Sequence, residues 1–117
     1  MFVLKKGNTF KRNVKVKYPT EDGKFAKFTV PVVFRMLTND ELAELRPDGA
    51  GAEYAKRFVF AVVESIGESD TFRLVDDDGK PVTDPDDRVE MVANDAILAD
   101  VIGRDYLDTL KKGRAGN

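Results

Sequence analysis

The stretch Ala52–Ile66, Ala-Glu-Tyr-Ala-Lys-Arg-Phe-Val-Phe-Ala-Val-Val-Glu-Ser-Ile, decides the predicted fold. At helical spacing its charged side chains share one side, whereas its apolar residues cover a broad opposite face. Because so wide an apolar face must be covered by other elements, we predict that this stretch is the central helix, ended by Gly67. Periodicity alone leaves a strand open at Phe58–Val63, where β-branched and aromatic residues are dense.

Length and composition restrict the class of protein. The chain has 117 residues, enough for one core, and we predict a single domain over residues 1–112 and a flexible tail over residues 113–117. Its apolar fraction of 42% and charged fraction of 34% are typical of a soluble globular protein. It holds no apolar run near the length of a membrane span, so no membrane contact is expected.

The absence of cysteine and histidine limits the catalytic and metal sites that the chain can form. Without Cys there is neither a disulfide nor a thiolate metal site, which agrees with a reducing cytoplasm. Without His the chain lacks the commonest general base and the commonest metal ligand. This composition argues against a hydrolase.

Charge is divided unevenly along the chain. Residues 1–35 carry nine Lys or Arg against two acidic residues, a net charge of +7, whereas residues 36–117 carry a net charge of −9. Such polarity favours head-to-tail self-association or an acidic partner, although the basic residues also suit the solvated face of a hairpin.

The basic segment has the pattern of a β-hairpin. Apolar and basic residues alternate after Thr9, and they alternate again through Phe34. Between the two runs, Pro19–Gly23 supplies turn residues, with the glycine suited to a positive φ. Pro31 lacks an amide proton, which predicts a strand edge or a bulge at that position.

Helix-start patterns mark the rest of the chain. Thr38 and Glu41 form a predicted capping box for a short helix that Pro47 and Gly49 would stop. Asp84 and Pro85 predict a second helix start. The C-terminal third, Arg88–Lys112, reads as one long helix, or as two helices separated at Asn94-Asp95 or kinked at Gly103.

We therefore predict an α+β fold, in which an N-terminal antiparallel β-hairpin or small sheet packs against two to four helices. No catalytic constellation, cofactor site or phosphate-binding loop emerges from the residue pattern. The acidic run Asp76–Asp78 with Gly79 invites a calcium interpretation. The EF-hand spacing fails, however, because Leu74 and Pro85 stand where acidic ligands are needed. A tight turn between short strands at Phe72–Val75 and Pro81–Val82 is the preferred interpretation.

A single-strand nucleic-acid surface on the hairpin is a rival interpretation. It would stack bases on aromatic residues and bind phosphates through the neighbouring cations. Core packing explains the same alternation, and the acidic isoelectric point near 5.2 does not favour nucleic acid. The residues concerned are Phe10, Tyr18, Phe25 and Phe28, with Lys11, Arg12, Lys15, Lys17 and Lys27.

The order of landmarks resembles the tail assembly chaperones of phages with long, non-contractile tails. A basic hairpin precedes Phe34–Leu42 (Phe-Arg-Met-Leu-Thr-Asn-Asp-Glu-Leu), and a helix then ends near Ile66-Gly67. The turn Asp77–Val82 (Asp-Asp-Gly-Lys-Pro-Val) follows, and a Tyr-containing helix leads to a basic Gly/Asn tail. The resemblance covers most of residues 9–117.

The resemblance implies a non-enzymatic protein without a cofactor or metal. Such chaperones act in the host cytoplasm, coat the tape measure protein, help recruit tail tube subunits and are absent from the mature virion. The structural alternatives are a tail completion protein or a head–tail connector subunit. The candidate protein-binding residues are Phe58, Phe60, Val63, Ile97, Val101 and Tyr106, and the same apolar surface would also suit a homo-oligomer.

Overall fold

The computed structural model describes residues 1–45 and 51–116 and confirms the α+β class. A three-stranded antiparallel sheet, in the order β1-β2-β3, packs against helices that include the C-terminal third. The elements are β1 Thr9–Pro19, β2 Phe25–Arg35, α1 Asn39–Glu44, α2 Ala52–Val62, β3 Val63–Ile66, α3 Pro85–Asn94 and α4 Ala96–Arg114. The predicted helix stop at Pro47 and Gly49 lies outside the described residues.

The predicted hairpin is present and its two strands pair along their full length. Thr9 pairs with Arg35 at one end and Pro19 with Phe25 at the other. In the connecting turn, Gly23 adopts a φ of 80°, a conformation that favours glycine, and its N–H donates to the Thr20 carbonyl oxygen at 3.1 Å. The turn chemistry of the sequence therefore sets the register of the hairpin.

Alternation along the strands sends one face of the sheet into the core. Paired residues such as Val14 and Val30 are buried, whereas their neighbours Lys15 and Thr29 lie on the opposite face. Helices α2, α3 and α4 cover the inner face, giving two layers. The fully buried side chains are Tyr106, Phe34, Ile102, Val14, Val30, Val32, Val59, Val62, Val63 and Val92.

The predicted central helix is shorter than expected. It ends at Val62, and Val63–Ile66 forms β3, which pairs with β2 from Phe34 to Val32. The prediction of helix to Ile66 was wrong because the edge of β2 offers these residues a ladder partner that lies far away in sequence. The apolar, β-branched run that left a strand open contains the junction.

Gly67 has a different role from the predicted helix stop. It does not take a positive φ, and a Cβ atom added to it would lie 3.2 Å from the Cβ atom of Pro31. Its N–H donates to the Pro31 carbonyl oxygen at 2.8 Å. Glycine therefore serves a close approach to β2 here, where a side chain would press on Pro31, and not a helix C-cap.

Pro31 lies in the central strand, at the point where β3 ends. Its carbonyl oxygen faces Gly67. In an antiparallel sheet the N and O atoms of one residue face the same neighbouring strand, so the amide proton that proline lacks would also have faced Gly67. Pairing with β3 begins only at Val32, so the strand edge at Pro31 is local. The irregularity in the β2–β3 register lies further along, between Val33 and Phe34.

The acidic segment Asp76–Gly79 forms a turn. The Asp76 carboxylate accepts hydrogen bonds from the N–H groups of Asp78 and Lys80, each at 2.9 Å. The two short strands predicted on either side are reduced to a single bridge between Val75 and Pro81. These flanks are too short to form a regular ladder.

The predicted helix starts are confirmed. Thr38 and Glu41 form both hydrogen bonds of the capping box, and the Asp84 side chain caps α3 with Pro85 in its first turn. Of the alternatives for the C-terminal third, the structure has two helices. They divide at Asp95, whose side chain accepts from the N–H groups of Ile97 and Leu98. α4 runs through Gly103 to Arg114 and so takes in the first two residues of the segment predicted as a tail.

Candidate protein-binding groove

A groove of about 900 Å³ runs between α2 and α4 on the helical layer. Its floor is made largely of small residues, among them Ala55, Ala99 and Gly103. Larger apolar side chains stand along the floor and walls. We call this feature the α2–α4 groove; its larger apolar residues are Tyr54, Phe58, Ile97, Val101 and Leu107.

Small residues in both helices create the groove. Alanine and glycine leave space between the helix backbones that larger side chains would fill. The ring of Phe58 lies over Gly103, with a Cβ atom at that glycine placed 3.4 Å from the ring. The ring of Tyr54 lies one turn before, 5.8 Å from that of Phe58. The sequence thus builds a trough that has aromatic residues at its α2 side.

Charged residues of both signs line the groove. Glu53 and Lys56 belong to α2, whereas Asp100 and Arg104 lie one turn apart on α4 and form an ion pair at 3.1 Å. Both members of this pair are largely exposed, so it contributes little to stability. The groove therefore has an apolar floor between polar edges, which is the composition of a protein-binding surface.

The contacts that position α4 are polar and well defined. Asp105 forms a bidentate pair with Arg12 of β1, at 2.8 and 3.0 Å. The hydroxyl of Tyr18 donates to the Asp95 carboxylate, and this hydrogen bond, with burial, raises the pKa of Tyr18. Both contacts attach α4 to the sheet, so the groove has one rigid wall.

The structure brings three of the six predicted contact residues together. Phe58, Ile97 and Val101 all line the α2–α4 groove; Ile97 and Val101 are half-buried, whereas Phe58 is buried at 4% and forms part of its floor. Phe60 is exposed, with 42% of its surface accessible, but lies outside the groove. Val63 and Tyr106 are buried in the core at 1% and 0%, where neither has surface to offer a partner in this fold.

Sequence reasoning missed two residues of the groove. Tyr54 lies four residues before Phe58, and Leu107 lies six residues after Val101 with 45% of its surface exposed. Tyr54 has the helical spacing of Phe58, whereas Leu107 lies one turn after Gly103, which has no side chain to mark the position. The apolar stripe of α2 therefore indicated Tyr54, but the spacing in α4 did not indicate Leu107.

The outer face of the β-sheet is basic. Lys11, Lys15, Lys17 and Lys27 point away from the core, and none of them forms an ion pair among residues 1–45 and 51–116. The ring of Phe25, which is 60% exposed, lies 5.4 Å from the Lys17 ammonium. We call this feature the basic sheet surface.

The aromatic residues considered for base stacking are mostly absent from that surface. Phe10, Tyr18 and Phe28 turn inward and pack against the core cluster. Arg12 also points inward, to Asp105. Only Phe25 of the proposed stacking set shares a face with the lysines, so the alternation in the sequence separates cations from aromatic rings.

Comparisons of the chain with models of known families, with curated proteins and with solved structures find no match. Within residues 1–45 and 51–116, no three or more acidic, His or Cys side chains are grouped so as to hold a metal ion. None of the helices in this part of the chain has the length and apolar character needed to cross a membrane.

Proposed function

We propose that this protein is a non-enzymatic tail assembly chaperone of a long-tailed phage. It would bind the tape measure protein in the host cytoplasm, help recruit tail tube subunits and leave the particle before maturation. The observation that carries the proposal is the α2–α4 groove, an apolar trough with charged edges. The resemblance in the order of sequence landmarks gives the proposal its class of client.

The groove has dimensions that suit one face of a client helix. Residues 97–107 of α4 extend over about 15 Å, or roughly three helical turns. A client helix with apolar residues at every third or fourth position would place two or three of them against Tyr54, Ile97 and Val101. Polar residues beside that stripe would meet Lys56, Glu53 or the Asp100–Arg104 pair at the edges.

Leu107→Arg tests this proposal in the protein as it exists. The substitution places a cation at the groove wall, where Leu107 is already 45% exposed, so the fold should be retained. Co-expressed with the tape measure protein of the same genome, the natural chain should keep that client soluble. Leu107→Arg should lower the soluble fraction about tenfold, since a charge must then be desolvated on binding.

Phe60→Arg is the matched control. Phe60 has nearly the same exposure, 42%, and also belongs to a helix, but lies outside the groove. This variant should hold the client in solution as well as the natural chain does. Equal loss in both variants, or no loss in either, would contradict the groove as the client site.

Two alternatives remain as proposals with their own tests. A tail completion or head–tail connector protein would be found in purified virions, whereas a chaperone would be absent from them. A single-strand nucleic-acid binder would use the basic sheet surface, with its lysines and the exposed ring of Phe25. It would bind oligonucleotides with an affinity that falls steeply as salt is added.

A further inference from the structure

Four consecutive apolar residues at the start of the chain lie in solvent. Their exposed fractions are 116% for Met1, 79% for Phe2, 69% for Val3 and 80% for Leu4. Lys5 and Lys6 follow, and a turn at Lys6–Gly7 leads into β1. We call Met1–Lys6 the N-terminal arm. Contiguous apolar exposure of this kind is typical of a segment that binds another surface.

The arm is not a part of its own domain's core. The fold holds the chain from Asn8 onward, where the Met36 N–H donates to the Asn8 carbonyl oxygen at 2.8 Å and Thr9 pairs with Arg35. No residue of the arm lines the α2–α4 groove or packs against the core cluster. The arm and the groove are therefore both uncovered in a single copy.

The arm and the groove match in apolar character and in charge. The arm offers three apolar side chains, Phe2, Val3 and Leu4, followed by two lysines. The groove offers an apolar floor with Glu53, Asp95 and Asp100 among its lining residues, against Lys56 and Arg104. Next to it, a shallow acidic depression is lined by Asp87, Glu90, Met91, Asn94 and Asp95. The acidic groups outnumber the basic ones on this side of the molecule.

The lengths match as well. Five extended residues, Phe2–Lys6, span about 17 Å. The groove follows α4 over residues 97–107, which is about 15 Å. An extended arm can therefore lie along the groove and bring Lys5 and Lys6 to the acidic depression at its end.

We propose that the N-terminal arm of one copy binds in the α2–α4 groove of a second copy when no client is present. The inference rests on the proposed function in that the same groove serves the client, which would displace the arm. Such a contact is heterologous, because arm and groove are different surfaces. It can close between two copies that exchange arms or continue into a chain.

Arm and groove variants test the contact by self-association. The arm variant carries Phe2→Ser and Leu4→Ser, and the groove variant carries Leu107→Arg; all three positions are exposed, so folding should be unaffected. Sedimentation velocity over an about 100-fold range of concentration should show the natural chain associating. Each variant alone should associate about tenfold more weakly, and Phe60→Arg should behave as the natural chain does.

Mixing the two variants provides the decisive result. The arm variant retains an intact groove and the groove variant retains an intact arm, so an equimolar mixture should form a one-to-one complex. A mixture that stays monomeric would overturn the proposal, as would a natural chain that is monomeric at every concentration. An arm that cross-links only to the groove of its own chain would overturn it too.

The client assay separates this inference from the proposed function. The arm variant should keep the tape measure protein soluble as well as the natural chain does, because its groove is intact. If the mixed variants form a complex but no variant lowers the solubility of the client, the proposed function fails and the arm contact stands. If the solubility of the client depends on Leu107 but the mixed variants form no complex, the arm contact is excluded and the client site stands.

Discussion

Tyr106 joins α4 to the end of β2 through a single hydroxyl group. The side chain is fully buried, and its hydroxyl donates to the Arg35 carbonyl oxygen at 2.9 Å and accepts from the Leu37 N–H at 3.0 Å. Its ring lies 5.2 Å from that of Phe34 and 5.7 Å from that of Phe58. The residue therefore holds α4 against the end of β2, which fixes one wall of the groove.

Tyr106→Phe should destabilise the protein without changing its shape. The variant keeps the ring but leaves the Arg35 carbonyl and the Leu37 N–H without their buried partner, which costs about 1–3 kcal/mol. Urea denaturation gives the free energy of unfolding. Tyr54→Phe is the control; Tyr54 is half-buried and its hydroxyl forms no hydrogen bond within the described residues, so the change should stay below about 0.5 kcal/mol.

Tyr106 and Tyr18 predict a loss of stability in alkali. Burial raises the pKa of Tyr106, and the hydrogen bond to Asp95 raises the pKa of Tyr18. Since the folded pKa values lie above the unfolded value of about 10, their contribution is present below that pH and is lost as pH rises through the folded values. The free energy of unfolding should therefore start to fall only as the pH approaches about 10, over the range from about pH 9 to about pH 11.

Tyr106→Phe and Tyr18→Phe should each make that fall shallower, because each removes one of the two titrating groups. Urea denaturation at both ends of the range measures the difference from the natural chain. A pH dependence that is identical in all three proteins would contradict the assignment.

At the scale of elements, local chemistry was predicted correctly and distant pairing was not. The capping box of Thr38 and Glu41 and the start at Asp84-Pro85 depend on neighbouring residues only, so the sequence contains the whole interaction. The end of α2 depends on β2, which lies about thirty residues earlier. The apolar run Phe58–Val63 suits either element, and only the free edge of β2 decides that its last residue begins a strand.

Among the residues that cap or pair helices, Asp95 is the one whose substitution should lower the stability most. Its side chain caps α4 and also accepts from Tyr18, so Asp95→Ala should lower the free energy of unfolding by about 1–2 kcal/mol. Asp95→Asn keeps an equally good cap and should cost less. Asp100→Ala, which removes only an exposed pair with Arg104, should change it by less than about 0.5 kcal/mol in the same urea titration.

At the scale of the whole molecule, the groove was half predictable. Phe58, Ile97 and Val101 follow an apolar helical stripe, and the stripe was identified from spacing. Spacing does not tell which part of a wide apolar face meets the core. Val63 and Tyr106 were therefore predicted as contacts although they are buried, and the exposed wall at Leu107 was missed. Which apolar residues are buried and which are exposed depends on how the sheet and the helical layer pack together, and no local sequence pattern contains that information.

The uneven distribution of charge along the sequence is also found on the surface of the folded protein. The net positive half of the chain contains the N-terminal arm and the basic sheet surface, whereas the acidic residues near the groove belong to the other half. The lysines of the N-terminal arm and the carboxylates beside the groove thus lie on different surfaces of one molecule. Added salt should weaken arm-dependent association while leaving client binding, which rests on apolar contact, less affected.

Hydrogen exchange can show whether the client binds in the α2–α4 groove. Amide exchange of the natural chain is measured alone and in complex with the tape measure protein of the same genome. We predict added protection in the first half of α2, residues 52–58, and along α4, residues 96–107, with little change in β1 and β2. Protection confined to the strands of the basic sheet surface, or none in either helix, would contradict it.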